Sequence, residues 1–327
     1  MELIVCPYCF EKIWFANKCS KCGETLSSNL RGGNLMFSVV GAKTTGKSCY
    51  IATLINELEE QAGKYGFTMT TNDETMDLYE RRFKRPLYEY RETIGGTQTH
   101  DRDASRPLIY TLDFLQCEPR KRANLIFYDA PGERFNREED MRKYTRYLSN
   151  SAGIIFLVDP FQLPAIREYY LKRRGDESGE ISFSRKPTSE ALVGKVFNRL
   201  INVMESEGKR DSTTGKFSVP LAVALTKIDA LRSLLTDEAP VFLPPRHSSG
   251  VSEGDVRRNH DYFRNFLTVE PTFFNNIRLF QRVACFGVSA LGQIPQENEK
   301  LRFEPRPIRA LDPILWLLWS YGLIEKK

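Results

Sequence analysis

Apolar residues along this chain gather into short, nearly unbroken runs separated by polar stretches of very unequal length. Leu35–Val40, Leu125–Tyr128, Val219–Leu225 and Val283–Val288 are runs of strand length with almost no polar member, as expected of strands buried on both faces. Just after the first run, Ile51, Leu54, Ile55 and Leu58 recur at i, i+3, i+4 and i+7, one face of a helix with Gly63 placed to end it. Ile314, Leu317, Leu318 and Tyr321 repeat that spacing near the carboxyl end, widened by Leu315 and Trp319 and followed by Gly322. This predicts a last helix within 313–323 that packs on the sheet; a partner-binding face or a membrane foot is the alternative use of the stripe. Buried strands alternating with helices predict an α/β fold.

The residues just after these runs carry chemistry. After the first stands Gly41-Ala42-Lys43-Thr44-Thr45-Gly46-Lys47-Ser48, which fits G-x-x-x-x-G-K-[ST]. The glycines let the backbone fold around a phosphate, so that N–H groups through Thr44, Thr45, Gly46 and on to Cys49 point inward. Lys47 can reach the β- and γ-oxygens, the Ser48 hydroxyl can ligate Mg²⁺, and the dipole of the next helix favours the anion. A Gly/Thr surface loop with a stray Lys-Ser is the bland alternative, and the strand–loop–helix setting argues against it. After the second run comes Asp129-Ala130-Pro131-Gly132. An acid at the carboxyl end of a strand beside a phosphate loop can serve the Mg²⁺ shell, and Gly132 can bring an N–H close to a γ-phosphate.

The third run leads into Thr226-Lys227-Ile228-Asp229, which resembles the [NT]-K-x-D motif of GTPases; the fourth leads into Ser289-Ala290-Leu291, which resembles their last motif. With these residues in view the chain resembles the translation-factor-related class of P-loop GTPases, the class of Ras- and Rho-like proteins, over roughly 35–323. The resemblance implies GTP–Mg²⁺ binding and slow hydrolysis that a partner accelerates. It also implies that Asp229 pairs with guanine N1–H and the exocyclic amine, that the Lys227 stem lies along the ring, and that a backbone N–H near Ala290 meets O6. Thr226 stands where Asn is commoner. A six-stranded, mostly parallel sheet flanked by helices is expected, with strands at 35–40, 108–115, 124–128, 153–158, 219–225 and 282–288. The second runs antiparallel in the family, and the short polar stretch Cys117–Ala123 suits a hairpin there. Segments 63–107, 160–190 and 230–281 exceed what a minimal domain of this kind needs. With the amino-terminal cysteines and the Trp-rich tail, they look most like the bacterial double-GTPase group, whose members occur as paired GTPases, often in predicted conflict or defence operons.

Hydrolysis needs a positioned water, neutralised phosphate charge and a second Mg²⁺ ligand from a switch segment. Thr97 is the preferred ligand and Thr99 the next. Glu133 stands where many relatives carry Gln; it would either accept a proton from the water or point away and leave turnover slow. Lys43, at the third loop position, is either a solvated surface lysine or an internal cation near the phosphates. Arg81, Arg91, Arg102 and Arg106 flank the switch, but with 47 Lys+Arg in the chain none stands out as a finger.

Cys6-Pro7-Tyr8-Cys9 and Cys19-Ser20-Lys21-Cys22-Gly23 are two C-x-x-C turns around a short strand within Phe10–Phe15, a spacing that lets four thiolates reach one tetrahedral Zn²⁺. About thirty residues cannot build a core alone, so such a zinc is structural. The expected division is 1–30, a zinc ribbon joined by the Ser27–Gly33 linker, and 31–327, the GTPase domain. The ribbon could dock a protein, grip nucleic acid or cap the domain; a margin of one positive charge through Arg31 favours protein over nucleic acid. Cys49 and Cys285 are expected to be buried as small hydrophobes.

Composition narrows little further. Hydrophobic residues are 41% and charged ones 27%, a globular balance, and the net charge of +5 implies no polyanion partner. No apolar run approaches a membrane span, and Met1–Val5 lacks the features of an export signal, so a cytoplasmic location is expected. Ser248–Gly254 is the most disorder-like stretch. Three rivals stay open: a nucleotide-bound scaffold without turnover, a nucleic-acid-associated NTPase, and an ATPase, for which Asp229 would have no purpose.

Overall fold

A computed structural model describes residues 3–30, 35–95, 106–118, 121–128, 138–174, 193–236 and 238–327. A two-stranded antiparallel hairpin, β1 (Leu3–Val5) and β2 (Lys12–Trp14), precedes the main sheet. Among the described residues that sheet has seven strands: β3 (Met36–Gly41), β4 (Phe67–Thr71), β5 (Leu108–Phe114), β6 (Lys121–Phe127), β7 (Gly153–Val158), β8 (Leu221–Leu225) and β9 (Val283–Gly287). Their order is β4-β5-β6-β3-β7-β8-β9. The five strands from β6 to β9 run parallel, while β5 is antiparallel to both β6 and β4. The antiparallel second strand anticipated from the short 117–123 connection is therefore β5. The added strand is β4, a seventh beyond the six expected. Its sequence Phe-Thr-Met-Thr-Thr alternates buried and more open positions, as an edge strand does, and has no apolar run to announce it.

Strand β3 shows how the sheet divides the core. Phe37 and Val39 face one layer, with α1 (Lys47–Gln61) and α8 (Asp312–Ser320), whereas Met36 and Val40 face the other, with α3 (Glu138–Ser149), α4 (Pro164–Arg174) and α5 (Val193–Ser206). The last helix packs on the sheet as its stripe predicts, ending before Gly322 at φ 60°. Helix α1 does not stop at Gly63. A 3₁₀ turn, Ala62–Tyr65, continues it, and Gly66 at φ 73° ends the run by donating its N–H to Ala62 and Gly63.

The long intervals hold structure. The first contains β4, α2 (Asp73–Tyr79, capped by Asn72) and a π-helical run over Glu80–Glu89 that accommodates Pro86. The last contains α6 (Glu253–Phe266) and α7 (Pro271–Ile277). Ser248–Gly254 is not the disordered stretch its composition suggests: Val251 is fully buried and bridged to Lys326, and Ser252 caps α6. Cys49 and Cys285 are buried as expected. Among the described residues no helix is long and apolar enough to cross a membrane.

Candidate nucleotide-binding site

Parallel strands deliver their carboxyl ends to one edge of a sheet, and here that edge collects the motifs. Gly41 closes β3, Asp159 comes after β7, Thr226 after β8 and Val288 after β9. Neighbouring strands lie about 4.8 Å apart, so the phosphate loop and Thr226 stand roughly 10 Å apart across one intervening strand. That separation suits a nucleotide with its phosphates at one end and its base at the other.

The phosphate loop is built by local rules. A Cβ on Gly41 would come 2.7 Å from Thr45 Oγ1, and Gly46 at φ 80° starts α1 from the left-handed region. Thr45 is fully buried, with its hydroxyl bonded to the Ala42 carbonyl at 2.9 Å. Thr44 takes φ 67°, unusual for a β-branched residue. Lys47, Ser48 and Cys49 then form the first turn of α1, at the positive end of the helix dipole. Lys43 is exposed.

At the base end, Thr226 is buried and its N–H bonds Val158 O at 2.8 Å, which ties the loop to β7. Lys227 adopts φ 56°, and its Nζ pairs with Asp159 Oδ2 at 2.7 Å. Ile228 N–H reaches Val288 O at 3.3 Å, joining this loop to the one that carries Ser289, Ala290 and Leu291. Asp229 lies near the Ser289 hydroxyl, which accepts from Gly292 N at 2.9 Å. Burial raises the Asp229 carboxyl above its ordinary range, and Ser289, the Lys227 charge and nearby backbone N–H groups offset this only in part. A half-buried carboxylate whose charge is disfavoured by burial is suited to a ligand that brings donors of its own. Ser289 exchanges two backbone bonds with Ile308, at 3.0 and 2.8 Å, and the Arg306 N–H bonds Leu291 O at 3.0 Å.

The structure thus brings Gly41–Cys49, Thr226, Lys227, Asp229 and Ser289–Leu291 to one edge. Asp129, Gly132 and Glu133, and the switch candidates Thr97 and Thr99, lie outside the described residues, although β6 ends at Phe127 with Tyr128 directly before Asp129. Arg81 and Arg106 are engaged in surface ion pairs with Asp77 and Glu74. Two residues of the edge escape motif reasoning: Asp159, and Gln162, whose Nε2 bonds Lys43 O at 2.7 Å and Thr44 Oγ1 at 3.0 Å. Asp159 carries a partial signal, an acid directly after a buried strand, the rule that marks Asp129; Gln162 carries none.

The four amino-terminal cysteines converge, with all sulfurs within 4.8 Å of one another. Cys6–Cys22 and Cys9–Cys19 are each 3.8 Å apart, matching the edge of about 3.8 Å that Zn–S bonds of about 2.3 Å set in a tetrahedron. The two turns repeat each other. Cys6 N bonds Glu11 O and Cys19 N bonds Glu24 O, both at 2.9 Å; Phe10 N returns to Cys6 O at 2.8 Å and Gly23 N to Cys19 O at 2.9 Å. Gly23 has φ 77°, and Phe10 holds the equivalent left-handed position at φ 60°. Burial pushes the Cys6 thiol up and Cys9 up to about 11. Burial also acts on Cys19, but N–H donors from Cys22 and Lys21 outweigh it and bring that thiol below its ordinary value. Sulfurs at the correct spacing with N–H groups aimed at them fit a thiolate-bound zinc.

The ribbon is not detached from the domain. Phe10 is fully buried, with its ring 5.5 Å from Tyr128 and 5.0 Å from Tyr147 of α3; its carbonyl accepts from Asn150 at 2.9 Å, and Arg146 pairs with Glu11 at 3.1 Å.

A relative from Mycolicibacterium smegmatis, "Putative ESX-1 scaffolding and assembly protein SaeC", is 26% identical over 332 residues, covering 94% of this chain and 80% of its own. A crystal structure of sup35 complexed with GDP is similar at 11% identity and a TM-score of 0.29; it covers 84% of this chain but the chain spans only 42% of its length, a likeness too slight to carry weight. The model of the Double-GTPase 2 family matches residues 35–267, well over half the chain, and takes in the phosphate loop, Asp129–Gly132 and Thr226–Asp229, so the protein belongs to that family of P-loop GTPases.

Proposed function

We propose that the protein binds GTP with Mg²⁺ and hydrolyses it to GDP and phosphate as a switch read by a partner protein. The observation that carries this reading is the phosphate loop after β3 and the Thr226–Asp229 loop after β8 on one sheet edge, with only β7 between them. Lys47 and the loop amides would hold the β- and γ-phosphates, and Ser48, Asp129 and Thr97 the metal. Gly132 would sense the γ-phosphate, Glu133 would position the water, and Asp229 would select guanine. Cys6, Cys9, Cys19 and Cys22 would hold a structural zinc, in a ribbon (1–30) attached to a GTPase domain (31–327). The scaffolding and assembly role in the relative's name favours a protein partner, a second GTPase or an effector, over nucleic acid.

Phosphate release from GTP by purified protein tests this directly. Release is expected to fall at least tenfold in Lys47→Ala, with GTP bound in preference to ATP. A second reading, a nucleotide-bound scaffold without turnover, draws on the same name and on Glu133. It takes over if bound GTP persists unhydrolysed for hours, with or without a partner.

A further inference from the structure

We infer that Asp159 and Gln162 are positioning residues of the nucleotide site, a brace that sets the phosphate loop and the guanine loop at their working distance. The inference rests on the GTP reading above. Strand β7 lies between β3 and β8 and is paired in parallel register with both, from Phe37–Gly153 to Gly41–Leu157 on one side and from Ile154–Leu221 to Val158–Leu225 on the other. Chain leaving the carboxyl end of β7 must therefore emerge between the two loops. It does so as a tight 3₁₀ turn, Pro160–Gln162, whose first residue is a proline of fixed φ. Two backbone bonds close the turn, Gln162 N to Asp159 O at 3.0 Å and Leu163 N to Pro160 O at 3.1 Å, and Phe161 anchors it, buried edge-on against Tyr170 at 5.0 Å.

This rigid turn sends one polar side chain each way. Asp159 uses both oxygens: Oδ1 accepts from Phe161 N at 3.0 Å, which fixes the carboxylate, and Oδ2 accepts from Lys227 Nζ at 2.7 Å. Its side chain is only 5% exposed, against 40% for the lysine, so the acid is the fixed member and the lysine the one held. Gln162 reaches the other way, donating through Nε2 to Lys43 O and Thr44 Oγ1; its Oε1 is buried without a partner among the described residues, so donation alone orients the amide. The two residues held, Thr44 and Lys227, are both non-glycine residues in left-handed backbone, at 67° and 56°. That conformation disfavours side chains and persists where surroundings impose it. A nucleotide has a fixed length, so two loops preset at the matching distance bind it without first being ordered. With its ammonium neutralised by Asp159, Lys227 can offer its carbon stem to a flat ring rather than its charge to a phosphate.

Affinities of the full-length chain for GTP, GDP and ATP, measured by calorimetry in wild type, Asp159→Asn, Lys227→Met, their double variant and Gln162→Ala, test the brace. Asp159→Asn keeps the acceptor for Phe161 N and loses the charge. It should weaken GTP and GDP by about tenfold, the range of one charge-assisted hydrogen bond, and lower the GTP-to-ATP ratio. The double variant should be no worse than the weaker single. Gln162→Ala should weaken GTP and ATP alike and leave the ratio unchanged, a split that a purely structural role would not produce. Wild-type GTP affinity in Asp159→Asn, or losses that multiply in the double variant, overturns the inference. If Asp159→Asn does not fold, Lys227→Met alone decides, and unchanged GTP binding there overturns it. Wild-type protein that binds neither nucleotide refutes the GTP reading itself, a result distinct from either of these.

Discussion

At the scale of single residues, Asp229 sets a conflict between stability and recognition. Its carboxyl is raised by burial in the nucleotide-free protein, so its folded pKa lies above its unfolded one. The sign comes from linkage: the favourable contribution is complete below the unfolded value and is lost as pH rises through the folded one. At neutral pH the free protein therefore carries a destabilising charge. Asp229→Asn should raise the unfolding midpoint of nucleotide-free protein at pH 7, a gain that shrinks as the pH is lowered toward the ordinary carboxylate range. The same change should reduce the GTP-over-ATP preference by about a hundredfold or more, because the acceptor for two guanine donors is gone. For wild type, GTP affinity should fall on acidification starting above the usual carboxylate range, since only the ionised form accepts both donors. Thermal scans and nucleotide titrations from pH 4 to 8 check all three outcomes; equal stability of the two proteins at pH 7 would contradict the first.

At the scale of elements, the loop after β9 stands by virtue of a buried charge cluster that no motif marks. Ile308 pairs with Ser289, and the next residue, Arg309, is 2% exposed at its side chain. It pairs with Asp255 of α6 at 2.7 Å and with Asp312 of α8 at 2.9 Å, and donates to Pro240 O and Leu243 O at 2.9 Å. One guanidinium thus joins a 3₁₀ turn, two helices and the base loop. Burial works against the Asp255 charge, but Arg309 more than offsets it and holds that carboxyl below its ordinary range. Its stabilisation is present at neutral pH and lost as the pH falls through that lowered value. Arg309→Met should cost about 3–5 kcal/mol, because two buried carboxylates lose their partner. Urea unfolding at pH 7 measures this, and a loss under 1 kcal/mol would contradict it. The parallel strands and both amphipathic helices are legible in the sequence because their burial is written as local apolar periodicity. Strand β4 is not, since its alternating threonines resemble a polar loop, and Ser248–Gly254 reads as disorder. The residues that order that segment and the start of α6, Lys326 and Arg309, lie far along the chain. Asp159 escapes for a related reason: its meaning lies in Lys227, brought beside it only by the β7–β8 pairing.

At the scale of the whole molecule, the ribbon is anchored to the domain through a ring from the first cysteine turn. Four thiols gathered without a metal would be poorly held by so small a hairpin, so chelation should release this anchor. Mass spectrometry of native protein should find one zinc per chain, and none after Cys6→Ser or Cys19→Ser. Metal removal should lower the unfolding midpoint and make the segment before Lys12 sensitive to protease; a metal-free chain with its ribbon protected would contradict this. Phe10 adds something a glycine in its place, like Gly23 in the second turn, would not. The same backbone kink that closes a cysteine turn also drives a ring under Tyr128, the last residue before Asp129. Oxidation of the thiols is therefore expected to loosen the packing of Tyr128, and a Tyr128 environment unchanged after oxidation would contradict this.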